Sequence, residues 1–464
     1  TGKAAAEVFD DDNIEGAVNT HRRSKTNTGS NLSAGGDPTG IVGRLGASAA
    51  RRPCMDVRAT GKPSMHLRSG TSQYRRTSLV LFVAGFMAFA MLYVAQGILP
   101  DVSRDFSVSP AAASLTLSLT TLPLAVAILV AASWSDGRGR RRLLVGAVLT
   151  AAALTLASSI APSFEALLVL RMLTGLALAG LPAVAMAYVA EEFHPSGMGG
   201  VMGLYISGTG LGGMSGRLAG GLLASVSSWR LAMAVVGGLC LVGGLWVALR
   251  LPSSRNFVPT PGSMRKRMAG LRGLLREPVM IRLALCGFVL MGSLVSFFNY
   301  LQYRLARAPF DLSPALVALV FLLYLFGTVS ANWMGRLTDR RSRRRVLLLC
   351  MAIMAAGALL TLTDLLPIVL AGASALVFGF FGAHSVTSGW VNVWATRQRA
   401  QSSALYLFGY HIGSSLAGFV GGLFYAGFGW PGEVGTVLAL LAVGLLVALS
   451  LPDGRGHAPF AAPA

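Results

Sequence analysis

An all-α membrane protein, with twelve transmembrane helices as two pseudo-symmetric six-helix bundles, is the fold class this sequence predicts. Three observations predict it. Only 12% of the 464 residues are charged and 53% are hydrophobic, whereas a soluble domain carries a charged fraction of about 25%. From residue 77 onward, apolar stretches of about 20 residues follow one another, each long enough to cross a bilayer as a helix. The second half of the chain also repeats the first at a nearly constant offset.

The spans are expected at 77–99, 111–134, 143–161, 164–190, 200–224, 231–251, 281–303, 313–334, 346–364, 367–392, 402–425 and 433–451. Around them the chain divides into a polar tail at 1–74, a first half at 75–251, a linker at 252–280, a second half at 281–452 and a short tail at 453–464. The first tail is rich in Gly, Ser, Thr and Arg and has no helical or strand period, a composition expected to stay disordered. The chain starts at Thr1, and Met55 or Met65 would leave a short leader ending in Arg75-Arg76, so part of the tail is expected to reflect start-site choice.

Charge tests the span count. The formal net charge is +20, but no basic helix interleaved with aromatics appears, so nucleic acid is excluded as a partner. The arginines crowd into alternate loops instead. With the N-terminus placed inside, the cytoplasmic loops hold four Lys/Arg at 138–142, eight at 250–282, six at 336–345, and Arg397 and Arg399. The opposite loops hold Arg104, Arg230, Arg304 and Arg307. That asymmetry is the sense the positive-inside rule demands, and a miscounted span would mix the two populations.

The repeat is explicit. Phe106 to Pro110 (FSVSP) returns as Phe310 to Pro314 (FDLSP), 204 positions later. Asp136 with Arg140-Arg141-Arg142 returns as Asp339 with Arg343-Arg344-Arg345, 203 later. Tyr205, Gly208, Gly212, Gly220, Gly221 and Trp229 return as Tyr406, Gly409, Gly413, Gly421, Gly422 and Trp430, 201 later. Duplicated halves of this kind commonly enclose a solute site near the membrane midplane.

Cysteine chemistry contributes nothing: Cys54, Cys240, Cys286 and Cys350 form no CxxC and no ligand spacing with His, so no metal or disulfide framework is expected. There is no P-loop, no HExxH and no nucleophile elbow, so the chain is not read as an enzyme and needs no cofactor.

Polar residues inside spans are the functional candidates. Arg171 and Arg217 are intramembrane arginines; such a residue should face a cavity or a partner, or snorkel to an interface. Together they could hold an anionic solute. His384 and His411 are the intramembrane titratable groups nearest working pH, open to a proton-shuttle role or to a satisfied hydrogen bond. Asp101, Asp105, Glu165, Glu191, Glu192, Glu277, Asp311, Asp364 and Glu433 all fall at span ends or in loops, so no embedded carboxyl is expected. Small residues at spacings of four in the fifth span (Gly203, Gly212, Gly216, Gly220, Gly221) let helices approach closely.

The loop Ala132-Ser-Trp-Ser-Asp136-Gly-Arg-Gly139-Arg140-Arg141-Arg142 resembles the signature of the major facilitator superfamily, G-x-L-x-D-R-x-G-R-[RK]-x-x. It keeps Asp136, Gly139, Arg140 and Arg141. The second copy keeps Gly335, Leu337, Asp339, Arg340, Arg343 and Arg344 and differs at Ser342. Leu167-x3-Arg171-x2-Thr174-Gly175 is similar to the family's L-x3-R-x2-Q-G motif, and the glycines of the fifth span to the antiporter motif of its export branches, with Arg217 in place of the proline. The resemblance, to the twelve-helix drug–proton-antiporter-like type, covers residues 77–452. It implies a bacterial inner-membrane transporter, monomeric, that exports a small organic solute against protons by rocking two halves, with Asp136 and Asp339 loops as a conformational switch. Uptake by symport or uniport, or a non-transporting receptor or scaffold of the same fold, is the alternative. Because spans 1, 4, 7 and 10 line the cavity in the family, the resemblance also nominates Tyr93, Gln96, Asn299, Tyr300 and Tyr303 beside Arg171 and His384.

Overall fold

The structure is a computed structural model. It describes residues 66–134, 139–254, 256, 270, 272–394 and 399–452. Asp136 of the first signature loop, about half of the 252–280 linker and residues 1–65 and 453–464 lie outside the described residues. Residues 66–74, expected to belong to the disordered tail, are instead structured, with the Leu67 N–H donating to the Glu192 carbonyl (2.8 Å) and a helix starting at Ser72.

Within the described residues, eleven long helical elements run in chain order: α1 Ser72–Asp105, α2 Pro110–Trp134, α3 Arg140–Ser158, α4 Phe164–Glu192, α5 Pro195–Val226, α6 Trp229–Arg250, α7 Pro278–Leu305, α8 Pro314–Arg340, α9 Arg343–Leu360, α10 Leu366–Trp394 and α11 Arg399–Leu449. Among the described residues, nine helical segments are long and apolar enough to cross a membrane. α11 is not one straight rod, because Gly429 leaves helical geometry (φ 63°, ψ −152°) and Pro431 follows. Glycine alone reaches that backbone region at no steric cost, and proline cannot continue a helix behind it.

Turn chemistry sets where the helices begin. Ser163, Ser228, Ser313 and Ser342 stand at N-caps, and each hydroxyl accepts a backbone N–H at distances from 3.2 to 3.5 Å. Pro195, Pro278 and Pro314 open α5, α7 and α8, where the missing N–H has no helical partner to lose. The flanks are apolar: Leu239, Val242, Leu245 and Leu249 of α6 form an exposed stripe at helical spacing. In water that stripe would be a liability, but in a bilayer it faces hydrocarbon while every backbone group is satisfied within its helix.

Two groups of helices emerge. Within the first, α1 packs on α5, α3 on α6 and α2 on α4; within the second, α7 packs on α11, α9 on α10 and α8 on α10. The groups meet along α2 against α11 and α5 against α8. The sequence repeat is visible as repeated geometry. Arg141 donates to the carbonyls of Leu251 (2.7 Å) and Ala248, capping the end of α6, and Arg344, 203 residues on, donates to those of Leu449 and Leu451 (3.3 Å each). A Cβ on Gly212 would overlap the Phe86 carbonyl, and one on Gly413 the Phe288 carbonyl. Tyr205 lies over Gly85 as Tyr406 lies over Gly287.

Candidate functional site

Two helices lose regular α geometry near the middle of the molecule. In α1 the α-helix ends at Tyr93 and a 3-10 stretch follows at Val94–Ile98. In α8 a 3-10 stretch occupies Val320–Tyr324. Such stretches in mid-helix leave backbone groups to be satisfied from elsewhere and often mark hinges.

Arg217 of α5 lies between these two interruptions. It stands nine residues before the end of its helix, about 14 Å along the axis, close to the middle of a hydrocarbon core of roughly 30 Å. Its guanidinium carbon is 3.7 Å from the ring centre of Tyr93 in the first group and 4.7 Å from that of Tyr324 in the second. Nε donates to Gln96 Oε1 (2.5 Å) and Nη1 to the Gly213 carbonyl (2.8 Å). Arg217 is only 3% exposed, forms no ion pair with a described residue, and its Nη2 has no acceptor among them. Two aromatic faces offset part of the burial of this cation, but no carboxylate neutralises it. The Tyr324 hydroxyl is likewise buried without a partner. A desolvated cation with an idle donor is a place for an acceptor oxygen.

Gln96 ties that cation to the seam between groups. Its Nε2 donates to Asn299 Oδ1 (2.8 Å) and to the Val295 carbonyl (3.3 Å), while its own carbonyl accepts from Gln302 Nε2 (2.8 Å). The Tyr303 hydroxyl donates to the Leu99 carbonyl (2.9 Å), the Ser118 hydroxyl to the Ser415 carbonyl (2.9 Å), and Thr121 and Ser415 share a hydrogen bond of 2.7 Å. These joins gather toward the end of the molecule that carries Asp105 and Trp229. Gly221 against Ala318 and Gly422 against Ala111 bring backbones together there. Tyr300 donates to the Gly418 carbonyl and stacks on Tyr425 with ring centres 5.3 Å apart. Tyr300 and Tyr303 therefore sit in the closed seam, fully or almost fully buried.

Arg171 is elsewhere. It is 0% exposed and donates through Nη2 to the carbonyls of Leu92 (2.9 Å) and Met91 (3.1 Å), with Nε 3.4 Å from the Thr116 carbonyl. The Met91 and Leu92 carbonyls belong to the last α-helical turn before the 3-10 stretch of α1, and that of Thr116 to α2, so Arg171 caps a helix end inside the first group. It does not snorkel to an interface, and its Nη1 is buried without a partner.

His384 and His411 fall into an aromatic cluster of the second group. His384 Nδ1 is 2.8 Å from the Tyr406 hydroxyl, and its ring stacks on Phe380 with centres 5.9 Å apart. Tyr410 joins both histidines, at 5.1 Å from each ring. His411 is buried and its Nδ1 has no partner.

The glycines of α5 divide. A Cβ on Gly212, Gly216 or Gly220 would collide with backbone oxygens of α1, at Phe86, Ala90 and Val94, and one on Gly221 with Ala318 of α8, whereas Gly203 is exposed with open space around it. At the other end, Arg140 is buried and donates to Glu191 through Nη2 (2.8 Å to Oε1) and Nε (3.1 Å to Oε1 and 3.3 Å to Oε2), with Gly139 in a positive-φ turn. In the second loop Asp339 and Arg340 are exposed, Gly335 faces Ser385 of α10, and Arg343 opens α9 behind the Ser342 cap.

Two residues of this region escaped the sequence reading. Tyr324 and Tyr410 look like ordinary apolar aromatics in a span; only the pairing of α5 with α8 brings Tyr324 to Arg217. The expectation that no carboxyl is embedded is also corrected: Glu433 is 0% exposed. Its place at the edge of a predicted span suggested a loop, but the break at Gly429 turns the second arm of α11 back against α7.

Known proteins align along most of this chain. The family model described as Major Facilitator Superfamily matches residues 81–331 and 305–464. An uncharacterized MFS-type transporter, YybF, of Bacillus subtilis (strain 168) is 41% identical over 84% of this chain and 98% of its own. The inner membrane transport protein YnfM of Escherichia coli (strain K12) is 41% identical over 85% of this chain and 95% of its own. In solved structures, a bacterial homologue of the human lysosomal transporter Spinster shares the fold, with a TM-score of 0.67 at 17% identity over 82% of this chain and 96% of that one. The chain belongs to the major facilitator superfamily and is a multi-pass membrane transporter, not an enzyme.

Proposed function

We propose that this protein exports a small organic anion from a bacterial cytoplasm in exchange for protons, by alternating access across the inner membrane. The observation that carries the solute class is Arg217: a buried cation at mid-membrane depth, held by residues of both helix groups, with no acidic partner among the described residues. The export direction rests on the glycine series of α5, similar to the antiporter motif of export branches, and the inner-membrane location on the resemblance to YnfM.

The same reading takes twelve spans in two six-helix halves. The nine apolar segments become twelve when α5, whose glycines lower its hydropathy, and the 18-residue α9 are counted, and α11 is divided at Gly429. The halves are 75–251 and 281–452, joined by a cytoplasmic linker. Loop charge supports cytoplasmic termini and makes the seam at Asp105 and Trp229 the outer end. Rocking would close the Arg140 end and part the seam, exposing Arg217 to the outside; the Asp136 and Asp339 loops would switch between those states.

The test is purified protein in proteoliposomes with an imposed pH gradient, preceded by a thermal-stability screen of organic anions, cations and neutral sugars. The reading expects stabilisation by anions and proton flux that depends on them. Stabilisation confined to cations would overturn the solute class. Solute movement indifferent to the pH gradient would favour uniport, and movement down the gradient with the proton would favour uptake.

A further inference from the structure

Glu433 belongs to none of this machinery. It opens the second arm of α11 and is completely buried, and neither carboxyl oxygen has a hydrogen-bond partner. A side chain on Gly421 of the first arm would run into both the Ser296 hydroxyl of α7 and Glu433 Oε2, so hydroxyl and carboxyl border one small space. Ser296 Oγ also lacks a partner.

The groups around it offer no compensating charge. From α7 come Ser296 and Tyr300, and the Tyr300 hydroxyl is engaged by the Gly418 carbonyl. The first arm of α11 contributes Tyr425, which stacks on Tyr300. Beyond them, Arg304 is 5.2 Å from the ring of Trp430 but donates to Asp364 (3.3 Å) and to the Thr363 carbonyl (2.6 Å). Arg307 is exposed in the loop after α7, and α2 brings Ala111 and Ser114, both uncharged, to this part of the seam. An ionised carboxylate with no cation beside it and a single hydroxyl, that of Ser296, at its edge is strongly disfavoured in a dry interior, so the group takes a proton. The surroundings of Glu433 are also part of the seam: Gly422, next to Gly421, packs on Ala111 of the first group, and Tyr300 fills the same contact.

We propose that Glu433 is a proton-binding site that links closure of the seam to uptake of one proton. A solvent proton bonds to a carboxylate oxygen when the seam is open, and the neutral acid is then sealed between α7 and the two arms of α11. Loss of that proton, with no change in any other covalent bond, favours the open seam, where water can solvate the anion. The inference deepens the proton-coupled reading above and rests on it for its place in transport, but the linkage itself is measurable without solute.

The experiment attaches spin labels at Arg104→Cys, in the last turn of α1, and Ala306→Cys, just after α7, both exposed and on opposite sides of the seam, in a background with the four native cysteines replaced by serine. In lipid nanodiscs, the ratio of closed to open distances should fall with rising pH by up to tenfold per unit, the limit for one linked proton. Glu433→Gln, shaped like the neutral acid, should stay closed at every pH, and Glu433→Asp should restore the dependence. Infrared difference spectra should contain a protonated-carboxyl band in the closed state that Glu433→Gln lacks. A flat pH profile in the parent protein, an unchanged profile in Glu433→Gln, or no missing band would each overturn the proposal. Should Glu433→Gln fail to fold, the parent profile and its carboxyl band still decide it. Failure of solute transport with the linkage intact would overturn the exporter reading alone.

Discussion

Arg171 and Arg217 are both buried arginines without a carboxylate partner among the described residues, yet their neighbours separate their roles. Each keeps one idle nitrogen, but Arg171 is enclosed within the first group and donates to backbone carbonyls at a helix end there, whereas Arg217 keeps Nη2 idle between aromatic faces of two helix groups. Replacing Arg217 with alanine removes the charged donor and should weaken binding of a stabilising organic anion about 10- to 100-fold, the scale of one charge-assisted hydrogen bond. Arg217→Lys should recover only part, since a point charge on a flexible stem cannot hold Gln96 and lie flat between Tyr93 and Tyr324. Anion titration followed by thermal shift checks both. Arg171→Met should act differently. It orphans two buried carbonyls, each worth about 1–3 kcal/mol, so the unfolding midpoint in detergent should drop sharply while anion affinity of the folded fraction changes less than about threefold.

Helices in a membrane gain no hydrophobic drive from packing on one another, so close backbone approach carries more of the association. α5 shows this along its length, where Gly212 and Gly216 admit carbonyl oxygens of α1. Gly212→Ala should force the helices apart and reduce the yield of folded protein severalfold, while Gly203→Ala, with nothing within 4 Å, should shift stability by less than about 0.5 kcal/mol. Size-exclusion profiles of the two variants separate these outcomes. The helices themselves were legible in the sequence, because a 20-residue apolar run has few alternatives in lipid. The glycine series was legible as a face, but not Gly203's exposure, since spacing alone cannot say where the neighbouring helix stops touching. Arg217 stood out as a charge in an apolar run. Tyr324 did not, because its meaning comes from a contact 107 residues away. Glu433 was misplaced for a comparable reason: Gly429 reads as a loop signal, and only the direction of the second arm shows that the next turn is buried.

At the scale of the whole molecule, the seam is built on the internal repeat. Gln96 and Asn299 are 203 residues apart, the offset that relates the two signature loops, and they hydrogen-bond to each other across the boundary between groups. Residues at equivalent positions of two parallel repeats meet where the pseudo-symmetry axis passes, and a contact there reports directly on how the groups rock. Arg217 breaks the symmetry: its counterpart 201 residues on is Gly418, whose lack of a side chain leaves room for Asn299 and Ser118. On the proposed reading, solute chemistry would belong to one half and latch chemistry to both. Asn299→Leu keeps the branched, four-atom shape of the side chain but strips Gln96 Nε2 of its shorter bond, leaving the 3.3 Å contact with Val295. The net loss of one such bond is about 1 kcal/mol, and more where the remaining donor stays buried, so the ratio of closed to open molecules should fall roughly five- to thirtyfold. The Arg104–Ala306 label distance measures that ratio. Because Arg217 Nε remains bonded to Gln96 Oε1, the shift should appear without loss of anion binding to molecules already open. A closed fraction equal to that of the parent protein would mean that the Ser118–Ser415 and Tyr303–Leu99 bonds hold the seam by themselves.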